Sequence, residues 1–464
     1  MSATAPINVV LIATYEMGRQ PFGLASPAAW LRAAGATVTC VDLALERINP
    51  QAIAKADLIA FHLPMHTATR LAAEFLPRVR RLNRTAHLAF YGLYAPVNEA
   101  YLRELGAGTI LGGEFEAGLL ALAEQLAKGG STLALPQPEP VTALQRLPFI
   151  TPDRSRLPDL GRYAHLTMPD GTTRVVGYTE ASRGCKNLCR HCPVVPVYNG
   201  RFFVVPRTVV LEDIAQQVAA GAQHITFGDP DFFNGPTHAM QIVEELHRRW
   251  PDLTYDATIK IEHLLQHDRH LERLRDTGCL FVTSAVEAVD DHILDIFAKH
   301  HTRDDFLRVV YRFREVGLTL NPTFVTFNPW ISLAGYQDLL QVILDHDLVR
   351  NVSPIQYAIR LLIPAGSRLL ELPAVQELVL PYDAAALAWP WRHPDPRVDA
   401  LQAKIMALVG AQGDVPDDRF TTFARIWQLT ADAAQQDAAD PFSLLTTAAL
   451  SREPIPHLSE PWYC

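Results

Sequence analysis

The sequence predicts an α/β chain in three parts: a parallel sheet with helices on both faces, a partial barrel of six strand–helix units, and a mainly helical C-terminal extension. Two alternating series of apolar runs and helical-period segments carry this prediction, one in residues 1–129 and one in 170–365. Between them, residues 130–169 hold Pro136, Pro138, Pro140, Pro148, Pro152 and Pro158. Prolines at that density break regular elements and stiffen a connector. Residues 366–464 show no third series.

In the first series, strands are expected at 8–13, 36–42, 58–61, 87–90 and 109–111, and helices at 23–34, 68–82 and 114–127. Gly35 stops the first helix. The pattern is flavodoxin-like, and such sheets bind ligands at the carboxyl ends of their strands. The loops there are 14–18, 62–66, 91–94 and Gly112-Gly113-Glu114. In the second series, strands are expected at 175–182, 224–228, 253–259, 280–287, 318–327 and 352–362. Helices fill 211–220, 236–249, 264–277, 304–316 and 334–344. Six units close only part of an eightfold barrel, whose chemistry belongs at the carboxyl end of its strands. In the extension, 401–408 and 421–434 read as helices, and Trp389, Pro390, Trp391, Pro394 and Pro396 as a loop packed on the barrel.

Composition narrows the function classes. The 464 residues are 48% hydrophobic and 20% charged, which suits a compact chain rather than a disordered one. The net charge of −9 gives no global drive toward nucleic acid or an anionic membrane. No apolar run is long enough to span a bilayer, and the N-terminus lacks the pattern of a signal peptide. Cys40, Cys279 and Cys464 are scattered singly, as in reduced proteins, so a cytoplasmic location is expected.

The other three cysteines lie in Cys185-Lys186-Asn187-Leu188-Cys189-Arg190-His191-Cys192, directly after the first strand of the second series. Thiolates are soft ligands, and three of them hold three irons of a four-iron cluster and leave the fourth open. A zinc knuckle, with His191 or a distant residue as fourth ligand, is the alternative. Spacing and position together resemble the radical S-adenosylmethionine (radical SAM) superfamily. The resemblance implies that Cys185, Cys189 and Cys192 bind a [4Fe-4S] cluster. Its open iron would take the amino and carboxylate groups of S-adenosylmethionine, and reductive cleavage of a carbon–sulfur bond would release a carbon radical.

Other residues acquire expectations from that resemblance. Gly228-Asp229, closing the second barrel strand, stands where the superfamily has a turn that receives the amino group of S-adenosylmethionine; a plain turn with Asp229 as helix cap is the alternative. Glu287, closing the fourth strand, stands where related enzymes hold the ribose hydroxyls, or simply caps the strand end. Lys260, Glu262 and His263 gather ionisable groups at the third strand's end, suited to binding a carboxylate, moving a proton or ligating a substrate atom, or else to a surface network. Arg360 either clamps a carboxylate at the mouth or points outward. Asn321, Thr323 and Thr326 offer neutral hydrogen bonds.

The N-terminal series, with its run from Gly18 to Leu24, resembles the cobalamin-binding-type (B12-binding-like) domain that precedes many radical SAM barrels. Cobalamin is therefore a candidate cofactor, with Gly112 and Gly113 near the corrin or its nucleotide tail. The Asp-x-His-x-x-Gly motif of base-off cobalamin proteins is absent, and a domain that has lost its cofactor is the alternative. The tail, His457-Leu458-Ser459-Glu460-Pro461, resembles that of the radical SAM group named for a CUAEP or CCAEP ending, with His457 and Leu458 in the two chalcogen positions. His457 and Cys464 remain candidates to reach the site. A neighbouring group includes an enzyme that moves the 3-amino-3-carboxypropyl group of S-adenosylmethionine to arsenic.

The expected function is radical modification of a small molecule, including cobalamin-dependent methyl transfer. Aminocarboxypropyl transfer to a soft atom, modification of transfer RNA, and a non-catalytic iron–sulfur sensor are the alternatives. The expected partners are a small-molecule substrate and a reductant such as flavodoxin or ferredoxin, with no nucleic acid and no membrane.

Overall fold

A computed structural model describes residues 6–129, 141–410, 418–437, 440–444 and 454–460. The first sheet holds β1 (Asn8–Ala13), β2 (Thr37–Asp42), β3 (Leu58–His62), β4 (His87–Tyr91), β5 (Thr109–Gly113) and β6 (Val141–Ala143). All its pairings are parallel, in the order β2-β1-β3-β4-β5-β6. Strands β3, β4 and β5 are buried throughout, which is why they read as unbroken apolar runs. Leu24, Ala28, Leu119 and Leu122 pack one face, and Ala72, Leu76, Val79 and Leu102 the other. The strand order reverses between β1 and β3, where a ligand crevice is expected.

The connector is not free of regular structure. Its stretch between Pro140 and Pro148 supplies β6, which pairs with β5 from Leu111↔Val141 to Gly113↔Ala143. With no proline inside it, this stretch keeps every ladder donor. A later piece, β7 (His165–Thr167), pairs antiparallel with the first barrel strand, β8 (Thr173–Thr179).

Beyond β8 the chain turns through a hairpin of β9 (Ser182–Gly184) and β10 (Phe202–Val204). The barrel continues in parallel through β11 (His224–Phe227), β12 (Thr254–Thr258), β13 (Cys279–Glu287) and β14 (Thr319–Phe324). The expected sixth strand is reduced to one parallel bridge, Phe327 to Arg360. Pro354 opens a 3-10 turn, Pro354–Tyr357, where that strand would begin, because it has no N–H to give a ladder. The helix expected at 264–277 is broken into Ile261–Gln266, a 3-10 turn Asp268–His270, and Leu271–Asp276; Arg312 holds Asp268 at the break, 2.6 Å away. Helices Pro396–Gly410 and Arg419–Ala434 pack together, the second also against Leu333–Asp345. The tail strand β15 (His457–Leu458) pairs antiparallel with β7 and ends the barrel sheet. No helix among the described residues is long and apolar enough to cross a membrane.

The two sheets are joined by buried charge. Arg183, in β9, reaches Glu116 at 2.7 Å and Glu114 at 3.1 Å from the first domain, and Glu180 at 2.9 Å from the barrel. Phe22, Phe115 and Phe149 surround its guanidinium. Beside it, Arg154 of the connector grips both oxygens of Asp213 and donates to Gln20 and the Tyr178 carbonyl.

Removing one partner of such a buried set strands the others. Arg183→Met should cost about 3–5 kcal/mol of stability, read as a fall in denaturation midpoint. Burial, partly offset by Arg183, lifts Glu180 from 4.5 to about 8. The folded chain therefore keeps a proton that the unfolded chain loses, and this group's contribution to stability falls as pH rises between those values. Glu180→Gln should match the wild type in melting temperature near the acid end of that window and exceed it at the alkaline end.

Candidate active site

The cysteine loop leaves β9 at Gly184, whose φ of 75° is left-handed and whose added Cβ would press on the Tyr198 ring and the Arg201 carbonyl. Cys185, Cys189 and Cys192 are free thiols. Burial raises Cys185, and burial with the neighbouring Cys189 pushes Cys192 up to about 12. Thiols so placed keep their protons unless a metal takes them. The Asn187 backbone N–H and side-chain amide each lie 3.5 Å from Cys185 Sγ, ready to donate to a thiolate.

This donor set fits a four-iron cluster. Among the described residues, no three His, Cys, Asp or Glu side chains are grouped as ligands of one metal ion. In a cluster each thiolate takes a different iron, and three thiolates leave one of four irons without a protein ligand. His191 is committed elsewhere: its Nε2 lies 3.0 Å from Glu287 and its ring against Phe297. That engages one of its two ring nitrogens with protein.

Several expected residues gather around the loop. Lys260, 6% exposed, donates to Asn187 Oδ1 inside the loop at 3.3 Å and to Glu262 at 2.9 Å. Lys260 outweighs the partial burial of Glu262 and holds that carboxyl below its usual range. His263 turns away, its Nδ1 2.6 Å from Asp231 Oδ2. Asp231 Oδ1 accepts from the Phe233 N–H, and the next residue, Asn234, accepts from the Lys186 N–H and donates to the Gly184 carbonyl.

Asp229 does not cap a helix. It accepts from the Ala181 N–H and Ser182 hydroxyl, fixing the turn that delivers the cysteines. Burial, offset in part by these bonds, lifts it to about 7. Gly228 is glycine because the Tyr178 hydroxyl occupies the place of its Cβ. Glu287 closes β13 at a register shift with φ of 73°. Its Oε1 receives both His191 and Lys299, the latter at 3.4 Å. Burial alone would raise it, but Lys299 and His191 hold it at about 2.

Three expectations are corrected. Gly112 and Gly113 are not in an open loop; they are the last residues of β5, where Pro96 and the Ala143 carbonyl fill the space of a side chain. Arg360 does not stand free at the barrel mouth. It pairs with Asp399 at 2.7 Å, donates to the Trp391 carbonyl and stacks on the Trp391 ring, fastening the extension to the barrel. Thr323 and Thr326 are buried against backbone carbonyls. In the tail, His457 sits in β15, while Glu460 accepts from Tyr15 at 2.7 Å in the loop after β1. Cys464 lies outside the described residues.

Lys299 and His301 have no sequence signal, because they follow a short helix, Asp291–Ile296, in an irregular segment. Both are buried. Burial and the two lysines Lys299 and Lys260 push His301 down to about 4, so it stands neutral between them.

Residues 179–330 match the Radical SAM superfamily. The ribosomal protein uS12 methylthiotransferase RimO of Bacteroides fragilis is 22% identical over 205 residues, 40% of this chain and 46% of that protein. That of Phocaeicola vulgatus is 21% identical over 180 residues, 36% and 40%. The chain thus spans less than half the length of these curated relatives. The methyltransferase TsrM from Kitasatospora setae, with cobalamin and a [4Fe-4S] cluster bound, superposes with a TM-score of 0.67 at 14% identity, over 92% of this chain and 99% of that one. The cobalamin-dependent enzyme OxsB, with aqua-cobalamin and S-adenosylmethionine bound, gives 0.70 at 13%, over 93% and 72%.

Residues 179–330 therefore carry a radical SAM domain. The chain's fold is that of cobalamin-dependent members, a B12-binding-like sheet before a partial barrel. A [4Fe-4S] cluster and S-adenosylmethionine are the cofactors of its superfamily.

Replacing Cys185, Cys189 or Cys192 by Ala should abolish the cluster's visible absorbance in anaerobically reconstituted protein; a full four-iron content in all three variants would contradict the assignment. Gly228→Ala must displace Tyr178 and should cost about 1–3 kcal/mol in a denaturant titration.

Proposed function

We propose that this chain is a cobalamin-dependent radical SAM enzyme that transfers a methyl group to a small organic substrate. One observation carries the reading: the carboxyl ends of the first sheet lie on the cysteine loop. Leu93 and Val97, beyond β4, and Leu144, beyond β6, pack with Cys185, Cys192, Val194, Val197 and Tyr198. Glu114, beyond β5, accepts from Tyr198 at 3.0 Å. The ligand end of one domain therefore faces the ligand end of the other.

Near the crevice, His62 and His66 are each engaged through one ring nitrogen. His62, at the end of β3 beside the crevice, is paired with Glu16 at 2.5 Å, and its ring fills the space beside Gly23. His66 is bonded to the Ala386 carbonyl. When bound, the cluster supplies an electron to S-adenosylmethionine and cobalamin supplies a methyl carrier.

The chain's own residues orient and shield. Asp229 sets the turn before Cys185, and Gly228 keeps the barrel floor open to the Tyr178 ring. Lys260 steadies the cysteine loop through Asn187 and, with Glu262, presents a charged pair at the barrel rim for an ionic group of the substrate. His263 holds Asp231, and so the Asn234 contacts to the loop, in place. Glu287 orients His191 and offers a carboxylate toward ribose hydroxyls. The TsrM and OxsB likenesses run along nearly the whole chain, and both proteins are cobalamin enzymes, whereas the RimO match covers 40% of it. This favours a small substrate over a ribosomal one.

Liquid chromatography of S-adenosylmethionine products separates the outcomes. Methyl transfer should give S-adenosylhomocysteine together with 5′-deoxyadenosine. Methylthioadenosine would redirect the reading to aminocarboxypropyl transfer. Titrating the apo-protein with cobalamin should change its visible spectrum, and no binding at tens of micromolar would overturn the cobalamin assignment.

A further inference from the structure

The segment after β13 is the most strained part of the barrel. Of the non-glycine residues with left-handed backbone among those described, Glu287, Ala298 and His300 fall here, with φ of 73°, 53° and 58°. Such residues persist only where surrounding contacts over-determine them, and they gather at functional sites. Ala298 and His300 flank Lys299, whose side chain is 4% exposed.

The same segment grips the cysteine loop. The Arg190 N–H donates to the Phe297 carbonyl at 2.9 Å, and its guanidinium donates to the carbonyls of Asp295 and Ile296. His191, one residue before Cys192, stacks on Phe297 at 4.6 Å between ring centroids. Glu287 Oε1 binds His191 on one side and Lys299 on the other. The strained backbone thus drives one lysine ammonium into the interior, on the same carboxylate as a residue of the loop. Its charge lies within electrostatic reach of Cys189 and Cys192, which together with Glu287 favour its protonated form against the burial that opposes it.

We propose that Lys299 is a positioning residue that sets the reduction potential of the cluster held by Cys185, Cys189 and Cys192. Reduction adds one electron to a group already ligated by three thiolates. A fixed positive charge on the carboxylate that holds His191, the neighbour of Cys192, stabilises the reduced form more than the oxidised one and moves the potential up. Glu287 orients the ammonium and moderates its effect. The proposal rests on the cluster assignment, so wild-type protein that takes up no iron would sink that assignment, and this inference falls with it.

The test is an anaerobic redox titration of reconstituted full-length protein without S-adenosylmethionine, followed by electron paramagnetic resonance, with iron content measured in parallel. Lys299→Met should keep a full cluster and shift its midpoint to more negative potential. Lys299→Arg should stay near wild type, and Glu287→Gln should shift the other way. An unchanged midpoint in Lys299→Met with a full cluster overturns the proposal, even if S-adenosylmethionine binding weakens, because the lysine would then serve the substrate. Loss of the cluster in Lys299→Met, with an unchanged midpoint in Glu287→Gln, also overturns it, in favour of a purely structural brace.

Discussion

The docking of the two sheets depends on one guanidinium. Arg183 comes from the barrel, two residues before the first cysteine, and its carboxylates come from both domains. Burying one cation and three acids is costly unless they meet. Apart, each domain would expose or strand its share. Docked, Glu114 and Glu116 hold the charge while burial keeps the proton on Glu180 near neutral pH. Aromatic rings around Arg183 exclude water from the set. This joint brings the carboxyl ends of the first sheet over the cysteine loop.

From that joint outward, the loop is held on every side. Asp229 fixes the turn that enters it, Asn234 and Lys260 hold its middle, and residues 295–299 hold its exit. These contacts use backbone groups and side-chain amides as well as charges, and the thiols face a largely apolar lining of Val194, Val197 and Tyr198. A cluster in such a site would meet little water, so a nearby fixed charge such as Lys299 would act on it with little screening.

Much of the architecture was legible because fully buried parallel strands leave unbroken apolar runs, as at 58–61 and 87–90. The misreadings share a cause. Six prolines outweighed the short stretch that forms β6, although an edge strand needs only a few free N–H groups. Pro354 lies inside the apolar run at 352–362 but has no N–H with which to join a strand there. Gly112 and Gly113 looked like a loop because glycine is common there, but their role is to admit Pro96 and a neighbouring carbonyl. Arg360 carried a charge at a strand end, and nothing nearby in the chain announced that Asp399 and Trp391 would claim it.

The sequence by itself determined the two αβ series, the three thiols and the place of those thiols after the first barrel strand. Each depends on local periodicity or on neighbours within a few residues. Tertiary structure alone decided the partners: which acids meet Arg183, that His191 meets Glu287, and that Lys299 points inward. The pairings of Arg183 with Glu116 and of His191 with Glu287 join residues 67 and 96 positions apart across the seam and the loop. A pairing over that distance leaves no periodic trace, because it is set by how the sheets dock and not by the chain's local geometry.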